Sequence, residues 1–172
     1  MKSSPPVELV VASFDDPIVS RLRAEPGAPP AGASARATAP AGRSGAVDRP
    51  DTTDAGMVFL VARSASDPVG CAGLRRLGDD TAEVERLYVR PEYRGLGISR
   101  LLLAGVEDLA RRRGFAVARL EAGDLRAAGL YASSGYVRIA PFGRHPARSV
   151  CFEKSLAVQG AGGRTTGPRP IP

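Results

Sequence analysis

Residues 87–103 read LYVRPEYRGLGISRLLL, a stretch in which an apolar, strand-like segment passes through a glycine-rich turn directly into a helix. Gly95 and Gly97 carry no Cβ that would keep a ligand away from the backbone, and they accept positive φ angles. The first N–H groups of the helix have no partners inside it, and the helix dipole adds partial positive charge at that end. These features predict a phosphate or pyrophosphate site; a tight turn without a ligand is the alternative.

Two familiar phosphate-binding motifs are excluded by the same residues. A Walker P-loop requires Gly-Lys-Ser or Gly-Lys-Thr, and no lysine follows these glycines. A Rossmann dinucleotide motif requires a third glycine at the position that Arg100 occupies. The turn is therefore predicted to hold its anion through backbone amides, each of which contributes about 1.5–3 kcal/mol when the acceptor oxygen is charged.

Hydrophobic periodicity and turn residues predict the elements on either side of this turn. Predicted strands cover residues 7–11, 57–63, 69–76, 81–89, 115–121, 136–139 and 149–156, and predicted helices cover 17–22, 97–113 and 125–134. Asp16 followed by Pro17 is typical of a helix start, and Gly114 is typical of a helix end. The order of these elements predicts a fold of the broad α/β class. Within that class it predicts an α+β mixed sheet flanked by helices.

The 172 residues suffice for one domain with a hydrophobic core. Residues 57–156 form the predicted core, and residues 1–22 add its first strand and short helix. Residues 23–56 are mainly Ala, Gly, Pro, Ser and Arg, with Val47 as the only branched aliphatic residue, so they are predicted to be a flexible linker or loop. Residues 157–172 have the same character and are predicted to be a disordered tail.

Charge and composition limit the class of protein. The net charge of +6 rests almost wholly on arginine and favours an anionic partner. Aromatic residues do not interleave the arginines as a nucleic-acid surface would require, so we expect no nucleic-acid partner. No signal peptide or membrane span is recognisable, and we expect a cytoplasmic protein without membrane contact.

The cysteines and the single histidine are the remaining candidates for metal binding. Cys71 and Cys151 are predicted to be small buried residues, without a disulfide framework or a metal partner. His145 is the only histidine, which excludes a two-histidine metal site and makes a Ser-His-Asp triad unexpected. It lies between the last two predicted strands and is predicted to be a solvent-exposed loop residue, with a catalytic role as the alternative.

The turn and its helix resemble the coenzyme A motif of the GNAT superfamily of N-acetyltransferases. Residues 94–99, Arg-Gly-Leu-Gly-Ile-Ser, look like the family's Arg/Gln-x-x-Gly-x-Gly/Ala pattern, with Ser99 in place of the usual Gly or Ala. Residues 130–136, Leu-Tyr-Ala-Ser-Ser-Gly-Tyr, resemble its Leu-Tyr-x-x-x-Gly-Phe segment. The resemblance covers about residues 57–156 and implies a GNAT-like fold, with a mixed, mostly antiparallel sheet of six to seven strands.

The resemblance implies acetyl-coenzyme A as co-substrate and no metal. The pantetheine arm would pair with the backbone of residues 87–89 like an additional strand, and the pyrophosphate would lie on residues 96–100. The residues implied in binding the coenzyme are Leu87, Tyr88, Val89, Arg94, Gly95, Leu96, Gly97, Ile98, Ser99 and Arg100. The side chains of Arg94 and Arg100 would add positive charge, with ordinary solvated arginines as the alternative.

The same resemblance implies three catalytic candidates. It places Tyr131 beside the coenzyme sulfur, where a phenol titrating at about 10 can protonate a thiolate whose acid titrates at about 8.5; core packing is the alternative. Glu83 and Glu85 alternate along a strand and so share a face. Glu83 stands where members with a catalytic glutamate carry it, and would accept the amine proton directly or through water; an ordinary polar position is the alternative. The N–H of Tyr88 or Val89 would stabilise the oxyanion.

The implied reaction is transfer of an acetyl group to a primary amine by direct attack in a ternary complex. Residues 23–56 show no second amphipathic helix of the kind that lines the family's acceptor pocket, so small amines, amino acids and protein amino groups all stay open. The acidic residues Glu83, Glu85 and Glu121 favour a cationic acceptor. A coenzyme A-binding module without turnover, acting as a sensor or interaction partner, is the alternative. We expect a monomer or a homodimer.

Overall fold

The structure is a computed structural model that describes residues 6–28, 56–123, 125–143, 145, 147 and 149–156. Its strands are β1 (Val7–Ser13), β2 (Val58–Ser64), β3 (Asp67–Arg76), β4 (Thr81–Val89), β5 (Val117–Ala122), β6 (Val137–Ile139) and β7 (Val150–Ser155). Its helices are α1 (Pro17–Ala24), α2 (Ile98–Arg112) and α3 (Leu125–Ser133), with a short 3-10 turn at Pro91–Tyr93. The predicted order of strands and α-helices is confirmed. Of the predicted linker, residues 29–55 lie outside the described residues, as does the predicted tail, residues 157–172. Residues 23 and 24 of the predicted linker instead complete α1.

The strands form one sheet in the order β1-β2-β3-β4-β5-β7-β6 across the described part of the chain. β4 and β5 run parallel and are joined through α2, while each of the other neighbouring pairs is antiparallel. A parallel pair needs a crossover of this kind, and the amphipathic sequence of α2 supplies it. The predicted mixed, mostly antiparallel sheet flanked by helices is therefore confirmed.

β4 pairs irregularly with β3 and over only part of its length with β5. Against β3, the register shifts after Cys71, so that Arg86 and Leu87 together face only Ala72. This β-bulge gives Arg86 a positive φ of 56°. Against β5, the pairing covers only residues 81–83, and the rest of β4 has no partner on that side among the described strands. The two parallel strands therefore diverge toward the end of β4 that leads into α2.

Helices cover both faces of the sheet, as the alternation of residues along β2 shows. Phe59 belongs to a buried cluster that also contains Val19 and Leu22 of α1. Leu60, on the other face, belongs to a larger cluster with residues of α2 and with Tyr131 of α3. A sheet buried on both faces explains why residues 58–62 of β2 and 68–74 of β3 are apolar without interruption.

α2 lies close to the sheet because a glycine stands in its middle. A Cβ at Gly105 would lie 2.6 Å from side-chain carbons of both Leu60 and Leu9. The ends of the helix are also set by glycines, because Gly97 precedes it with a φ of 80° and Gly114 follows it with a φ of 85°. Close packing in the middle therefore fixes where the first turn of α2 stands relative to β4.

Both cysteines are buried and unbridged, as predicted. Burial raises the pKa of the Cys71 thiol to about 12, which disfavours the reactive thiolate. Within the described residues, no three or more His, Cys, Asp or Glu side chains cluster in a way that would hold a metal ion. No helix in the same part of the chain is long and apolar enough to cross a membrane.

Candidate functional site

A cavity of about 780 Å³ follows β4 from Glu83 to the glycine turn. β4, the first turn of α2, the end of β5 and α3 all contribute to its wall. Each site residue predicted from the sequence lines it except Leu96 and Ile98. Ile98 is buried in the core and Leu96 packs against the core, so their side chains anchor the turn from behind. The structure thus brings the predicted coenzyme and catalytic residues to one cavity.

The turn before α2 has the backbone geometry that its glycines predict. Gly95 and Gly97 both lie in the left-handed region, with φ values of 77° and 80°. No atom of the described residues lies within 4 Å of the position a Cβ would take at either glycine. The first intrahelical bond runs from Leu101 N to Gly97 O, at 3.1 Å, and no side chain in that part of the chain caps the N–H groups of residues 98–100. An anion can therefore approach these amides directly.

Three exposed arginines line the cavity, and two of them lie in or beside this turn. These two are Arg94 and Arg100, and the third is Arg126. Arg94 Nε donates a hydrogen bond to the carbonyl of Val89, at 3.0 Å, so its guanidinium is held beside the last residue of β4. This end of the cavity is therefore positively charged, and the prediction that Arg94 and Arg100 add charge to a phosphate stays open.

The free edge of β4 presents backbone groups to the cavity. Arg90 N donates to Val69 O at 2.9 Å, so the facing pair Gly70 and Val89 makes no hydrogen bonds within itself. The N–H and C=O of Val89 therefore point away from β3, toward the side on which β5 has diverged. The next pair, which contains Tyr88, has the opposite orientation and its backbone groups face β3.

A carboxylate from the end of α1 fixes the same end of β4. Glu25 accepts hydrogen bonds from Arg90 Nε at 2.8 Å and from the Tyr88 hydroxyl at 3.1 Å. The hydrogen bond from Arg90 lowers the pKa of Glu25, against an opposing effect of burial. Burial, followed by the contact with Glu25, raises the pKa of Tyr88. Glu25 thus ties α1 to the strand end from which the glycine turn begins.

At the other end of the cavity, one arginine serves two carboxylates. Arg75 of β3 contacts Glu83 through one guanidinium nitrogen and donates from Nε to Glu85 Oε1 at 2.5 Å. Both glutamates therefore lie on one face of β4, as predicted. Burial would lower the pKa of Arg75, but Glu83 and Glu85 outweigh it and the pKa is raised. Burial, and then Glu83, raises the pKa of Glu85.

The prediction that His145 is a solvent-exposed loop residue is wrong. Its side chain is 5% exposed and lies between two carboxylates. Nε2 donates to Glu83 Oε1 at 2.7 Å, while Nδ1 lies 3.0 Å from Glu121 Oε2 without the alignment of a hydrogen bond. The Phe142 ring meets the imidazole edge-on, with centroids 4.7 Å apart. These contacts compensate the burial of the His145 ring.

Tyr131 lies where core and cavity meet. Its side chain is 6% exposed and lines the cavity. Its ring packs 5.9 Å from the ring of Tyr136 and 6.0 Å from the ring of Phe152, measured between centroids. The core packing considered from the sequence is therefore present, and the proposed role as a proton donor stays a prediction.

Residues 33–136, about three fifths of the chain, match the family model described as the acetyltransferase (GNAT) family. The chain belongs to the GNAT family. This agrees with the fold and with the resemblance carried by residues 94–99 and 130–136.

Known proteins are similar to this chain at different levels of identity. An IAA acetyltransferase of Azospirillum brasilense is 40% identical over 91 residues, which cover 49% of this chain and 58% of that protein. The structure of an IAA acetyltransferase from Bacillus cereus superposes with a TM-score of 0.64 and 16% identity, over 87% of this chain and 99% of that one. At that identity the likeness shows the fold alone.

A GNAT structure with bound coenzyme is also similar. The PaiA N-acetyltransferase of Thermoplasma acidophilum, in complex with coenzyme A, has a TM-score of 0.51 and 25% identity, over 58% of this chain and 61% of that one. The chain spans about three fifths of the length of the curated relatives it matches. The PaiA complex shows that a structural neighbour of the GNAT family binds coenzyme A.

Sequence reasoning missed part of this GNAT cavity. Arg86, Arg126 and His145 line it but were not predicted as site residues, and Glu121 was noted only for its charge. The register of β5 carries a signal for Glu121, because this residue lies two positions beyond the last residue paired with β4. His145 has no such signal, because it is 62 residues from its partner Glu83.

Proposed function

We propose that this GNAT protein transfers an acetyl group from acetyl-coenzyme A to a primary amine by direct attack in a ternary complex. The observation that carries the proposal is the continuous run from the unpaired edge of β4 into the glycine turn before α2, along one cavity. A strand edge can pair with an extended amide-containing arm, and a helix start can hold a diphosphate. Acetyl-coenzyme A has both parts in that order.

The residues present fit the coenzyme. Open space at Gly95 and Gly97 would admit the pyrophosphate to the amides of residues 96–100, with Arg94 and Arg100 beside it. The outward C=O of Val89 would accept a hydrogen bond from an amide of the pantetheine arm, which leaves its N–H for the thioester oxygen. The coenzyme A complex of the PaiA relative supports this interpretation. The backbone of Leu87 and Tyr88, which also line the cavity, would complete the strip beneath the arm.

The chemistry follows from what an acetyl transfer needs. The neutral amine nitrogen attacks the thioester carbon, a C–N bond forms, and the C–S bond breaks. The amine gives up one proton, and the departing thiolate takes one. Tyr131 is the proposed donor to the thiolate, because it is the phenol of α3 that reaches the cavity wall. The outward orientation of Val89 N–H favours Val89 over Tyr88 as the oxyanion donor.

Glu83 and Glu85 are the proposed carboxylates of the acceptor end. Both oxygens of Glu83 are engaged, one by Arg75 and one by His145, and the side chain is 1% exposed. Glu83 therefore acts through a neighbour or a water rather than by direct contact with the amine. Because Arg75 and His145 offset two of the carboxylates, the preference for a cationic acceptor is weaker than the sequence indicates.

The occupied oxygens of Glu83 favour one alternative, a coenzyme A-binding module without turnover. The two functions separate in one assay, in which the full chain is mixed with acetyl-coenzyme A, a panel of amines and a thiol reagent. The enzyme releases free thiol in proportion to acetylated amine, which mass spectrometry identifies. A protein that binds acetyl-coenzyme A but releases no amine-dependent thiol with any class of acceptor contradicts the proposed function and supports the binding module.

A further inference from the structure

Three carboxylates line the acceptor end of the cavity, and they differ in exposure and in how many of their oxygens neighbouring side chains already engage. Glu83 is 1% exposed, and both of its oxygens are engaged by Arg75 and His145. Glu85 is 14% exposed and is bonded to Arg75. Glu121, on β5, is the most exposed of the three at 19%, and it contacts the imidazole of His145. Glu121 is therefore the carboxylate that an acceptor can reach most easily.

The imidazole that joins Glu121 to Glu83 is not satisfied as it stands. Nε2–H of His145 is used by Glu83, whereas Nδ1 is buried, lacks an aligned hydrogen bond and faces Glu121 Oε2 at 3.0 Å. In a neutral ring with its proton on Nε2, the Nδ1 lone pair would face a carboxylate oxygen and repel it. One proton between Nδ1 and Oε2 removes this repulsion, whichever atom carries it. The pair is thus built to accept one proton.

We propose that Glu121 takes the proton of the acceptor amine and passes it to Nδ1 of His145, whose ring Glu83 holds in place. This inference rests on the proposed function and names the proton path of that site. Glu121 is then the catalytic residue that meets the amine, and His145 and Glu83 act through it. The sequence alone does not assign this role to Glu121 or His145.

The proton balance of the step is complete. As the amine nitrogen bonds to the thioester carbon, its N–H bond breaks and an O–H bond forms on Glu121. That proton moves to Nδ1, which gives an imidazolium between two carboxylates. The thiolate leaves with a proton from Tyr131, and the imidazolium releases its proton to solvent through Glu121. Solvent then restores the phenol proton of Tyr131, so the cycle needs no further reactant.

The surroundings of His145 favour the imidazolium that this path creates. The hydrogen bond to Glu83 raises the pKa of His145, and Glu121 adds to the effect against the opposing effect of burial. The other titratable and charged groups that face this cluster come from four strands: Arg75 on β3, Glu85 and Arg86 on β4, Arg119 on β5 and Cys151 on β7. The guanidinium of Arg119 lies 5.6 Å from the centroid of the Phe142 ring.

The first test measures kcat/KM against pH for wild type, Glu121→Gln, His145→Gln and the double variant, with an amine that the panel identifies. We expect each single variant to lose about 10²-fold, as removal of a general base does. The double variant should lose little more, because the two groups act as one unit. Glu8→Gln, the same change at an exposed position on the edge strand β1, is the matched control and should keep wild-type turnover.

The wild-type kcat/KM should rise as His145 loses its resting proton. This part of the acid limb should disappear in His145→Gln, whereas the part that follows the ionisation of the acceptor amine should stay in every variant. Turnover of Glu121→Gln equal to wild type, or additive losses in the double variant, overturns the proposed path. Acetyl-coenzyme A affinity, measured by calorimetry, should be unchanged in all four variants, because the path does not include the coenzyme end.

The second test needs no acceptor and so stands apart from the proposed function. His145 is the only histidine, so its Hε1 proton gives one resolved NMR signal that can be followed through a pH titration of the untagged full chain. We expect the titration to shift to lower pH in Glu83→Gln and in Glu121→Gln, and to stay unchanged in Glu8→Gln. If the midpoint of the His145 titration is the same in Glu121→Gln as in wild type, the proposed pair of Nδ1 and Glu121 is wrong. If the NMR shifts appear but no amine is acetylated, the pair stands and the proposed transfer is contradicted.

Discussion

The two ends of β4 present different kinds of chemical group to the cavity. At the end that leads into α2, the groups offered to a ligand are backbone amides and carbonyls, exposed by two glycines and by the divergence of β5. At the other end they are side chains from β3, β4, β5 and the loop before β7, tied together by ion pairs. Backbone groups suit a coenzyme common to a family, whereas side chains can be exchanged to suit an acceptor. Binding of the coenzyme and turnover should therefore respond to different mutations.

The largest effect is expected where the chemistry needs one hydroxyl. Tyr131→Phe removes the proposed proton donor but keeps the ring, so we expect turnover to fall by about 10²-fold while acetyl-coenzyme A binds as in wild type. Steady-state kinetics and calorimetry measure the two quantities. Tyr136→Phe is the matched control, because the Tyr136 ring packs against Tyr131 at a tilt and does not line the cavity. Equal turnover in wild type and Tyr131→Phe across pH contradicts this role.

A smaller effect, on the affinity for acetyl-coenzyme A rather than on turnover, is expected at the glycine end. Gly97→Ala places a Cβ in open cavity space at a φ of 80°. Gly114→Ala places one at a φ of 85° at the far end of α2, outside the cavity, where no described atom lies within 4 Å. Each should cost about 1 kcal/mol of folding stability. Only Gly97→Ala should weaken acetyl-coenzyme A binding, by about tenfold, the equivalent of one lost hydrogen bond to a charged oxygen. Equal affinities in the two variants show that the turn does not hold the coenzyme.

The smallest effect is on stability and belongs to the side-chain end. Because the folded-state pKa of His145 is raised, its ion pairs stabilise the fold fully below the unfolded pKa of about 6.5 and are lost as pH rises through the folded value. Tm of wild type should therefore fall relative to His145→Gln as pH rises above about 6.5, by about 2–4 °C for each kcal/mol lost. A constant difference between the two melting curves indicates that His145 does not change its charge there.

The same contrast explains how much could be predicted from the sequence. The glycine end was predictable because its parts lie within the stretch from Leu87 to Arg100, and because glycine spacing and helical periodicity are local signals. The shared face of Glu83 and Glu85 was predictable for the same reason. Arg75 pairs with Glu83 across one hairpin, so counting the register would have found that contact as well.

The acceptor end could not be predicted, because its contacts join distant parts of the chain. His145 reaches Glu83 across 62 residues, and a lone loop histidine is more often exposed than buried. The bulge at Arg86 was equally hidden, since arginine has no preference for a positive φ. A histidine in a loop becomes informative only when the sheet order places that loop beside β5, and the sequence does not specify strand order directly.

The central claim is that the free edge of β4 and the amides at the start of α2 hold an acyl-coenzyme A. Isothermal titration of the full chain with acetyl-coenzyme A tests it most directly. Saturable binding of one molecule per chain, weakened in Gly97→Ala but not in Gly114→Ala, is the predicted result. Folded protein that shows no saturable heat with acetyl-coenzyme A or with coenzyme A would contradict the account.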